Sequence, residues 1–429
     1  MPTSAVSRAA AAGTLRAMAD PVVAPLAGIR IIELSMLGPA ALTTALAELG
    51  ADVIKVEPPA GDYGREMTWP IVEGVSALFL HANRGKRSIV LNLKEDAAKE
   101  VFRDLVRGAD AVVEAMRPGA LARMGLGYDD LLQINPGITF VSISGYGMTG
   151  PYKDMPSHGI AYDTWAGVVV PEERPDGHWV IPEHVSIGIN AGPLFGALAV
   201  TAGIIRAKTT GVGAFFDVAQ SDSAAAFDWY RIESHKAYER PEDEVTGNKA
   251  DDYERRAVAT KGMREGVRYQ IYETKDGTHV LFMASEQAFW KNFCEAVDRM
   301  DLFERWPGSK YADHARNNTE LQDELRTIFL TKTADEWMTF GNDFNTPIAP
   351  VNRSEHVGDD PQFQARMPWI PHEELGSDQL PSPIKVVGGE LPPITKAPTL
   401  GQHSAEVLRE VLDYDDARIE ELRAAGVIA

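Results

Sequence analysis

A repeated alternation of short apolar runs with helix-forming stretches constrains this fold more than any other feature of the sequence. From Leu26 onward, the runs GIRIIELS and ADVIKVE flank PAALTTALAELG, which has Pro39 near its start and Gly50 after its end. The same alternation continues with three more apolar runs, RSIVLNL, ADAVVEAM and GITFVSISGYG. Helices are predicted between them, at 96–107 and at 128–133. This spacing predicts an α/β fold whose largely parallel, doubly wound sheet binds ligands at the carboxyl ends of its strands.

Changes in composition divide the chain into four regions. Its 429 residues, 44% of them hydrophobic, predict two domains. We expect residues 1–25 to form a loose N-terminal extension or a processed leader, and 26–235 to form the first part of the large domain. Residues 236–340 begin with a charged linker and continue with a β-hairpin pattern, which predicts a small α+β domain. Residues 341–429 are rich in Pro, typical of extended crossing segments, and end in a helical pattern.

Charge and cysteine content exclude several classes of partner. A formal net charge of −20 disfavours nucleic acid and anionic membranes as partners. The single cysteine, Cys294, cannot form an internal disulfide and has no clustered metal ligands, so we expect a cytoplasmic chain without a metal site. The sequence contains no run of about 18 apolar residues, so it predicts no membrane span.

Several catalytic and nucleotide-binding motifs are missing from the sequence. SMLGPA follows the first predicted strand where a dinucleotide-binding fingerprint would stand, which disfavours NAD. GYGMTG at 145–150 has the glycine spacing, but no helix with an acidic residue follows at the expected distance, so a flexible loop is the preferred interpretation. The sequence also lacks G-x-S-x-G, H-E-x-x-H and Walker A motifs.

A basic cluster stands near the predicted strand ends. It contains Lys55 in VIKVE and Arg84, Lys86 and Arg87 in NRGKRS. Such a cluster can hold phosphates through charge-assisted hydrogen bonds, although a solvated loop explains it equally well.

Three further residues could act in acid–base chemistry. His158 in SHGIAYDTW is a candidate general base or a structural histidine. Asp163 could orient His158 or cap the following helix, and Glu286 in MASEQAFW could be catalytic or cap a helix.

The stretch SIGINAGPLFGALAV at 186–200 is predicted to be a glycine-rich turn followed by a helix from Pro193 to about Lys208. Its glycines predict close backbone approach to a ligand, and the helix N-terminus offers amide donors to an anion.

Four phrases in the same order together resemble the class III CoA-transferases, the group that includes formyl-CoA transferase, carnitine-CoA transferase and alpha-methylacyl-CoA racemase. The resemblance implies a Rossmann-like large domain completed by the C-terminal segment, a small domain between, and two interlocked chains. It also implies an acyl-CoA and a carboxylic acid as substrates, with no permanently bound cofactor. The phrases are LAGIRIIELSMLGPAALTTALAELGADVIKVEPPAGDYGR, NRGKRSIVLNL, EAMRPGALARMGLGYDDLLQINPGITFVSISGYGMTGPY and KAPTLGQHSAEVLREVLDYD.

The resemblance assigns the CoA site to the loops that contain KRS and GYG, with the KVEPP segment beside them. The residues implied are Lys55, Asn83, Arg84, Arg87, Gly147 and Met148.

The resemblance also implies that the family's nucleophile is missing from this chain. Family members attack the thioester with an aspartate, and counting back about 22 residues from Gly211 reaches Ile189, with Gly188 adjacent. His158 matches the histidine of the racemase branch, Glu286 its supporting glutamate, and Asp163 is the nearest substitute carboxylate.

Three hypotheses therefore remain open. The first is an enzyme that moves CoA between an acyl-CoA and a carboxylic acid, and the resemblance favours it. The second is a non-catalytic subunit that pairs with an aspartate-containing homologue, as a heterodimer rather than a homodimer. The third is a one-base isomerase, hydratase or lyase of CoA thioesters that uses His158.

Overall fold

The computed structural model describes residues 22–245, 263–309 and 314–428, so most of the predicted N-terminal extension and part of the predicted linker lie outside the described residues. The chain divides into two compact units. The larger comprises the described residues up to 229 together with 366–428, and the smaller comprises those within 230–365. The sequence placed these boundaries at 235/236 and 340/341.

The larger unit is built mainly on one six-stranded sheet. Its strands and those of two small hairpins are β1 (Arg30–Leu34), β2 (Asp52–Glu57), β3 (Ile71–Val72), β4 (Val75–Ser76), β5 (Arg87–Val90), β6 (Ala111–Glu114), β7 (Thr139–Ser144), β8 (Glu172–Glu173), β9 (Trp179–Val180) and β10 (Phe215–Ala219). The helices of this first part are α1 (Ala41–Ala47), α2 (Ala77–Asn83), α3 (Asp96–Arg107), α4 (Ala120–Arg123), α5 (Tyr128–Leu132), α6 (Ile160–Trp165), α7 (Gly188–Thr210) and α8 (Gln220–Phe227). Short 3-10 helices cover Gly38–Ala40 and Tyr63–Arg65.

Every strand pair in the main sheet is parallel, in the order β10-β7-β6-β1-β2-β5. The prediction of a parallel, doubly wound sheet is confirmed. The strand order reverses between β1 and β6, and in such sheets the crevice outside the carboxyl ends at this switch point is where ligands bind.

Alternate residues of the strands face two separate cores, as the period of two requires. Ile32, Ile54 and Val112 pack with α3 and the C-terminal helices on one face of the sheet. Ile31 and Val53 pack with α1 and α7 on the other face. The central strands are thus buried on both sides, which explains their near-continuous apolar sequences.

The smaller unit contains a three-stranded antiparallel sheet and several helices around an aromatic core. Its elements are β11 (Tyr269–Glu273), β12 (His279–Met283), β13 (Ile348–Pro350), α9 (Trp229–Tyr238), α10 (Gln287–Ala296), α11 (Met300–Arg305), α12 (Thr319–Phe329), α13 (Ala334–Asp343) and α14 (Pro361–Arg366), of which α9 and α14 span the unit boundaries, with 3-10 turns at Glu242–Glu244 and Val357–Asp359. The chain then returns to the larger unit through α15 (His372–Leu375), α16 (Ser404–Leu412) and α17 (Asp416–Ala424).

Helix α7 begins at Gly188, five residues earlier than the predicted start at Pro193. The reason is tertiary packing, because α7 lies against α1, α8 and β7, and its glycines allow close approach there. A Cβ atom at Gly192 would lie 2.7 Å from Gln220 Cγ, and one at Gly196 would lie 2.2 Å from Leu42 Cδ1. By length and composition α7 could cross a membrane, and half of its apolar 18-residue window is buried inside the structure.

Candidate functional site

An open cavity of about 500 Å³ lies where the segment before α6 meets the start of α7. Its wall is formed by Pro156, Ser157, His158, Gly159, Ile160, Ala161, Ser186 and Ile189. Two of the residues singled out in the sequence, His158 and Ile189, therefore line the same cavity.

Ile189 faces this cavity between two glycines. A Cβ atom added to Gly159 would lie 2.9 Å from Ile189 Cγ2, and one added to Gly38 would lie 3.6 Å from Ile189 Cβ. A side chain at Gly159 would therefore collide with the isoleucine, whereas the distance from Gly38 is an ordinary van der Waals contact.

Gly188, the adjacent candidate, has no such space. It is buried, and a Cβ atom there would lie 2.7 Å from Tyr162 Cβ and 3.1 Å from the Gln220 carbonyl oxygen. Of the two positions that the count from Gly211 allowed, Ile189 is the one whose side chain reaches the cavity.

Asp163 lies within α6, and its carboxylate binds the N-terminus of α7. It is fully buried and accepts hydrogen bonds from the Gly188 amide at 2.7 Å and the Ile187 amide at 3.2 Å, while His184 Nε2 lies 3.3 Å away. A carboxylate at this end complements the helix dipole. Asp163 was expected to orient His158 or to cap a helix directly following it, but the described contacts place its carboxylate on the start of α7 instead.

The same contacts occupy two amide donors of the glycine-rich stretch, while Ser186 and Ile189 of that stretch line the cavity. The amides of Ile187 and Gly188 already donate to Asp163, and the glycines of α7 approach protein side chains. Both features stabilise the packing of α7 on its neighbours.

His158 is exposed on the cavity wall, and its imidazole makes no hydrogen bond to another described residue. Beside it, Ser157 Oγ lies 3.5 Å from the Tyr162 hydroxyl. Burial raises the pKa of Tyr162, which keeps this phenol protonated. The imidazole is the titratable group available to a molecule in the cavity.

Glu286 belongs to the smaller unit, where it immediately precedes α10. Its side chain makes no capping hydrogen bond to that helix. Its catalytic role stays a prediction.

The lysines of the basic cluster are fully buried in an internal ionic network. Lys86 Nζ lies 2.8 Å from Glu33, and Lys55 Nζ lies 3.1 Å from Asp62 and 3.4 Å from Glu33. Burial opposes ionisation of Glu33, but the two lysines outweigh it and lower its pKa to about 2. Burial lowers the pKa of Lys86 to about 8, while the surrounding carboxylates, against the effect of burial, raise the pKa of Lys55. Asn83 is buried as well, and its Oδ1 accepts from Lys86 Nζ at 3.2 Å.

The two arginines of the cluster are also engaged inside the protein. Arg84 is buried and donates to Glu48 and to the Leu380 carbonyl oxygen at 2.7 Å. Arg87 Nη2 pairs with Asp52 at 2.6 Å, with a fifth of its side chain exposed. The cluster is neither a solvated loop nor a set of free cations, because acidic residues distant in sequence neutralise it.

The GYG loop follows β7 at the carboxyl edge of the sheet. Gly147 has a φ of +80°, a conformation that favours glycine, and the Met148 amide donates to Asp217 Oδ2 at 2.8 Å. Asp217 in β10 therefore fixes this loop beside the strand ends.

Arg117 was not among the predicted site residues. It is exposed in the loop directly after β6, at the strand-order switch point, and makes no ion pair with a described residue. Its position immediately after the predicted strand ADAVVEAM was the signal that could have identified it.

The fold and these strand-end loops define a member of CoA-transferase family III, whose sequence model matches residues 26–404. The chain belongs to this family, as the resemblance implied. Among its residues that the structure describes, no group of three or more His, Cys, Asp or Glu could hold a metal ion.

Individual relatives are similar along most of the chain. It is 32% identical to the human succinyl-CoA:glutarate CoA-transferase, over 95% of this chain and 90% of that one. It is 29% identical to the succinyl-CoA–L-malate CoA-transferase beta subunit of Chloroflexus aurantiacus, over 94% and 98% of the two chains. The crystal structure of Rv3272 from Mycobacterium tuberculosis matches with a TM-score of 0.73 and 25% identity, over 90% of this chain and 99% of that one.

Proposed function

We propose that this protein binds an acyl-CoA thioester and takes part in moving CoA between that thioester and a carboxylic acid, while a second chain of the family supplies the attacking carboxylate. The observation that carries the proposal is the cavity wall, where Ile189 presents an alkyl side chain and none of the described lining residues has a carboxylate.

Covalent CoA transfer needs a carboxylate oxygen that can reach the thioester carbon. An alkyl group cannot attack. Asp163, which the resemblance makes the substitute carboxylate, is fully buried and accepts two backbone hydrogen bonds, so it is neither accessible nor free of partners. The residues of this cavity can therefore bind a thioester but cannot form the covalent intermediate.

A divided assembly has a precedent in the family, since the Chloroflexus relative is named as a beta subunit. A heterodimer with an aspartate-containing homologue would place the two tasks, binding and attack, on different chains.

We place the phosphates of CoA near Arg117 and the loop of Gly147 and Met148. This assignment rests on the exposed guanidinium at the switch point and on the glycine backbone beside it. Arg87 keeps partial exposure at the sheet edge and remains a candidate contact. Lys55 is left out, because its ammonium group is buried and neutralised.

A second candidate function is proton removal from the α-carbon of a bound acyl-CoA by His158. The observation that favours it is the exposed imidazole on the cavity wall, without a competing partner among the described residues.

The test combines a binding and a transfer measurement on the purified chain. Calorimetry with CoA should detect binding, and each acyl-CoA and acid pair should give no exchanged thioester by mass spectrometry until an aspartate-containing homologue is co-expressed. Exchange by the chain alone would overturn the division of tasks, and absence of CoA binding would overturn the proposal as a whole.

Incubation with an acyl-CoA in D2O separates the second candidate from the first. Deuterium at the α-carbon that disappears in His158→Ala would establish proton removal. Its absence in the native chain would exclude this candidate.

A further inference from the structure

We infer that the cavity at residues 156–161, 186 and 189 accepts an uncharged, predominantly apolar acyl group rather than the acyl group of a dicarboxylic acid. This inference rests on the proposed binding of acyl-CoA and adds the substrate class.

The wall supplies apolar contact on several sides. Pro156, Ile160, Ala161 and Ile189 contribute carbon atoms to the lining. Ile189 packs beside Gly38 and Gly159, and its alkyl group forms part of the wall. Such a surface favours apolar groups through removal of their area from water.

The charges around the cavity argue against a second carboxylate. No Lys or Arg is among the described residues that line it, and the wall's polar side chains are Ser157, His158 and Ser186. Moving a carboxylate from water into a mainly apolar site without a paired cation is unfavourable. The basic cluster cannot compensate, since Lys55 and Lys86 are paired with carboxylates inside the protein.

This property would separate the chain from several relatives. Their names include succinyl, glutarate and malate, all of which carry a second carboxylate. This chain would then prefer a different acyl group from these relatives in spite of its sequence similarity to them.

Butyryl-CoA and succinyl-CoA form a matched pair for the test, because their acyl chains have the same length and differ in a terminal methyl or carboxylate group. Calorimetric titration of the purified chain should give butyryl-CoA at least a tenfold lower Kd than succinyl-CoA. From propionyl-CoA to butyryl-CoA the Kd should fall by about fourfold, the value expected for burial of one methylene. Equal or tighter binding of succinyl-CoA would overturn the inference.

Two variants at the wall sharpen the result. Ile189→Lys places a cation on the wall and should shift the preference toward succinyl-CoA by at least tenfold, whereas the matched control Ile205→Lys, on the exposed side of α7, should leave it unchanged. An equal shift in both variants would overturn the inference. Should Ile189→Lys not fold, Ile189→Ala provides the second measurement, since it should weaken butyryl-CoA several-fold and succinyl-CoA little.

Titration with CoA that carries no acyl group separates a failure of the proposed function from a failure of the inference about the acyl group. If CoA binds and the acyl preference is absent, the substrate class is wrong and the proposed function stands. If neither CoA nor any thioester binds, the proposed function fails and the inference fails with it.

Discussion

An aspartate introduced at Ile189 should give this cavity the carboxylate that it lacks. The side chain at this position already faces the cavity, so Ile189→Asp needs no new space. Loss of the half-buried alkyl group costs about 1–2 kcal/mol, less than the loss at a fully buried site. A carboxylate in the first turn of α7 recovers about 0.3–1 kcal/mol from the helix dipole. The net cost of about 1 kcal/mol should lower the Tm by roughly 2 °C, leaving a folded protein.

The assay is intact-protein mass spectrometry after incubation with butyryl-CoA. In Ile189→Asp, the carboxylate oxygen attacks the thioester carbon and the C–S bond breaks. The released thiolate then attacks the aspartyl carbonyl of the mixed anhydride and frees butyrate. The product is an enzyme-bound CoA thioester, heavier by CoA less one water and cleaved by hydroxylamine. Neither the native chain nor the isosteric control Ile189→Asn should form it.

Gly188→Asp is the geometric control for the same experiment. Its Cβ atom would collide with Tyr162 and the Gln220 carbonyl group, so this variant should be destabilised by at least about 1–3 kcal/mol and form no adduct. An adduct on the native chain, or one that maps away from residue 189 in Ile189→Asp, would refute the reasoning. So would a folded Ile189→Asp protein that binds butyryl-CoA but never forms an adduct.

Three further outcomes follow from the site and its supports. Asp163→Ala should lower the free energy of unfolding by about 2–4 kcal/mol in urea titrations, because the amides of Ile187 and Gly188 at the start of α7 lose their acceptor, and a loss below about 0.5 kcal/mol would contradict this account. The pKa of Glu33 is lowered from 4.5 to about 2, so the stabilisation that its carboxylate provides should be complete above pH 4.5 and be lost as the pH falls toward 2. Denaturation measured between pH 2 and 6 should show the free energy of unfolding rising with pH in the native chain, and rising less in Glu33→Gln. Arg117→Ala should weaken CoA binding about tenfold and reduce its salt dependence, whereas Lys94→Ala, at another exposed cation, should change neither; equal effects would remove Arg117 from the phosphate site.

The apolar pattern of each segment was enough to predict the strands of the main sheet and the helices between them, because that pattern reflects which of its residues are buried. The run RSIVLNL contains β5 and extends three residues past its end, and the helix predicted for 96–107 has those bounds because its buried residues recur with the helical period. The start of α7 was misplaced because Pro193 resembles a helix start, while the contacts that begin the helix at Gly188 come from Asp163, 25 residues earlier.

The candidate site was less predictable because its chemistry depends on distant partners. Lys86 was identified as a cation near a strand end, but nothing in NRGKRS indicates that Glu33 would pair with it across the fold. His158 was a candidate from its own sequence context, whereas Ile189 was found through the resemblance. Arg117 follows a predicted strand, but its place at the switch point depends on the strand order, which a single sequence does not specify.

The packing around Gly188 also limits where this site could gain a nucleophile. With Tyr162 and Gln220 closed against the glycine, no single substitution at 188 can restore a side chain there without moving a second residue. A single substitution that gave this chain a nucleophile would therefore have to occur at Ile189, whose side chain already reaches the cavity.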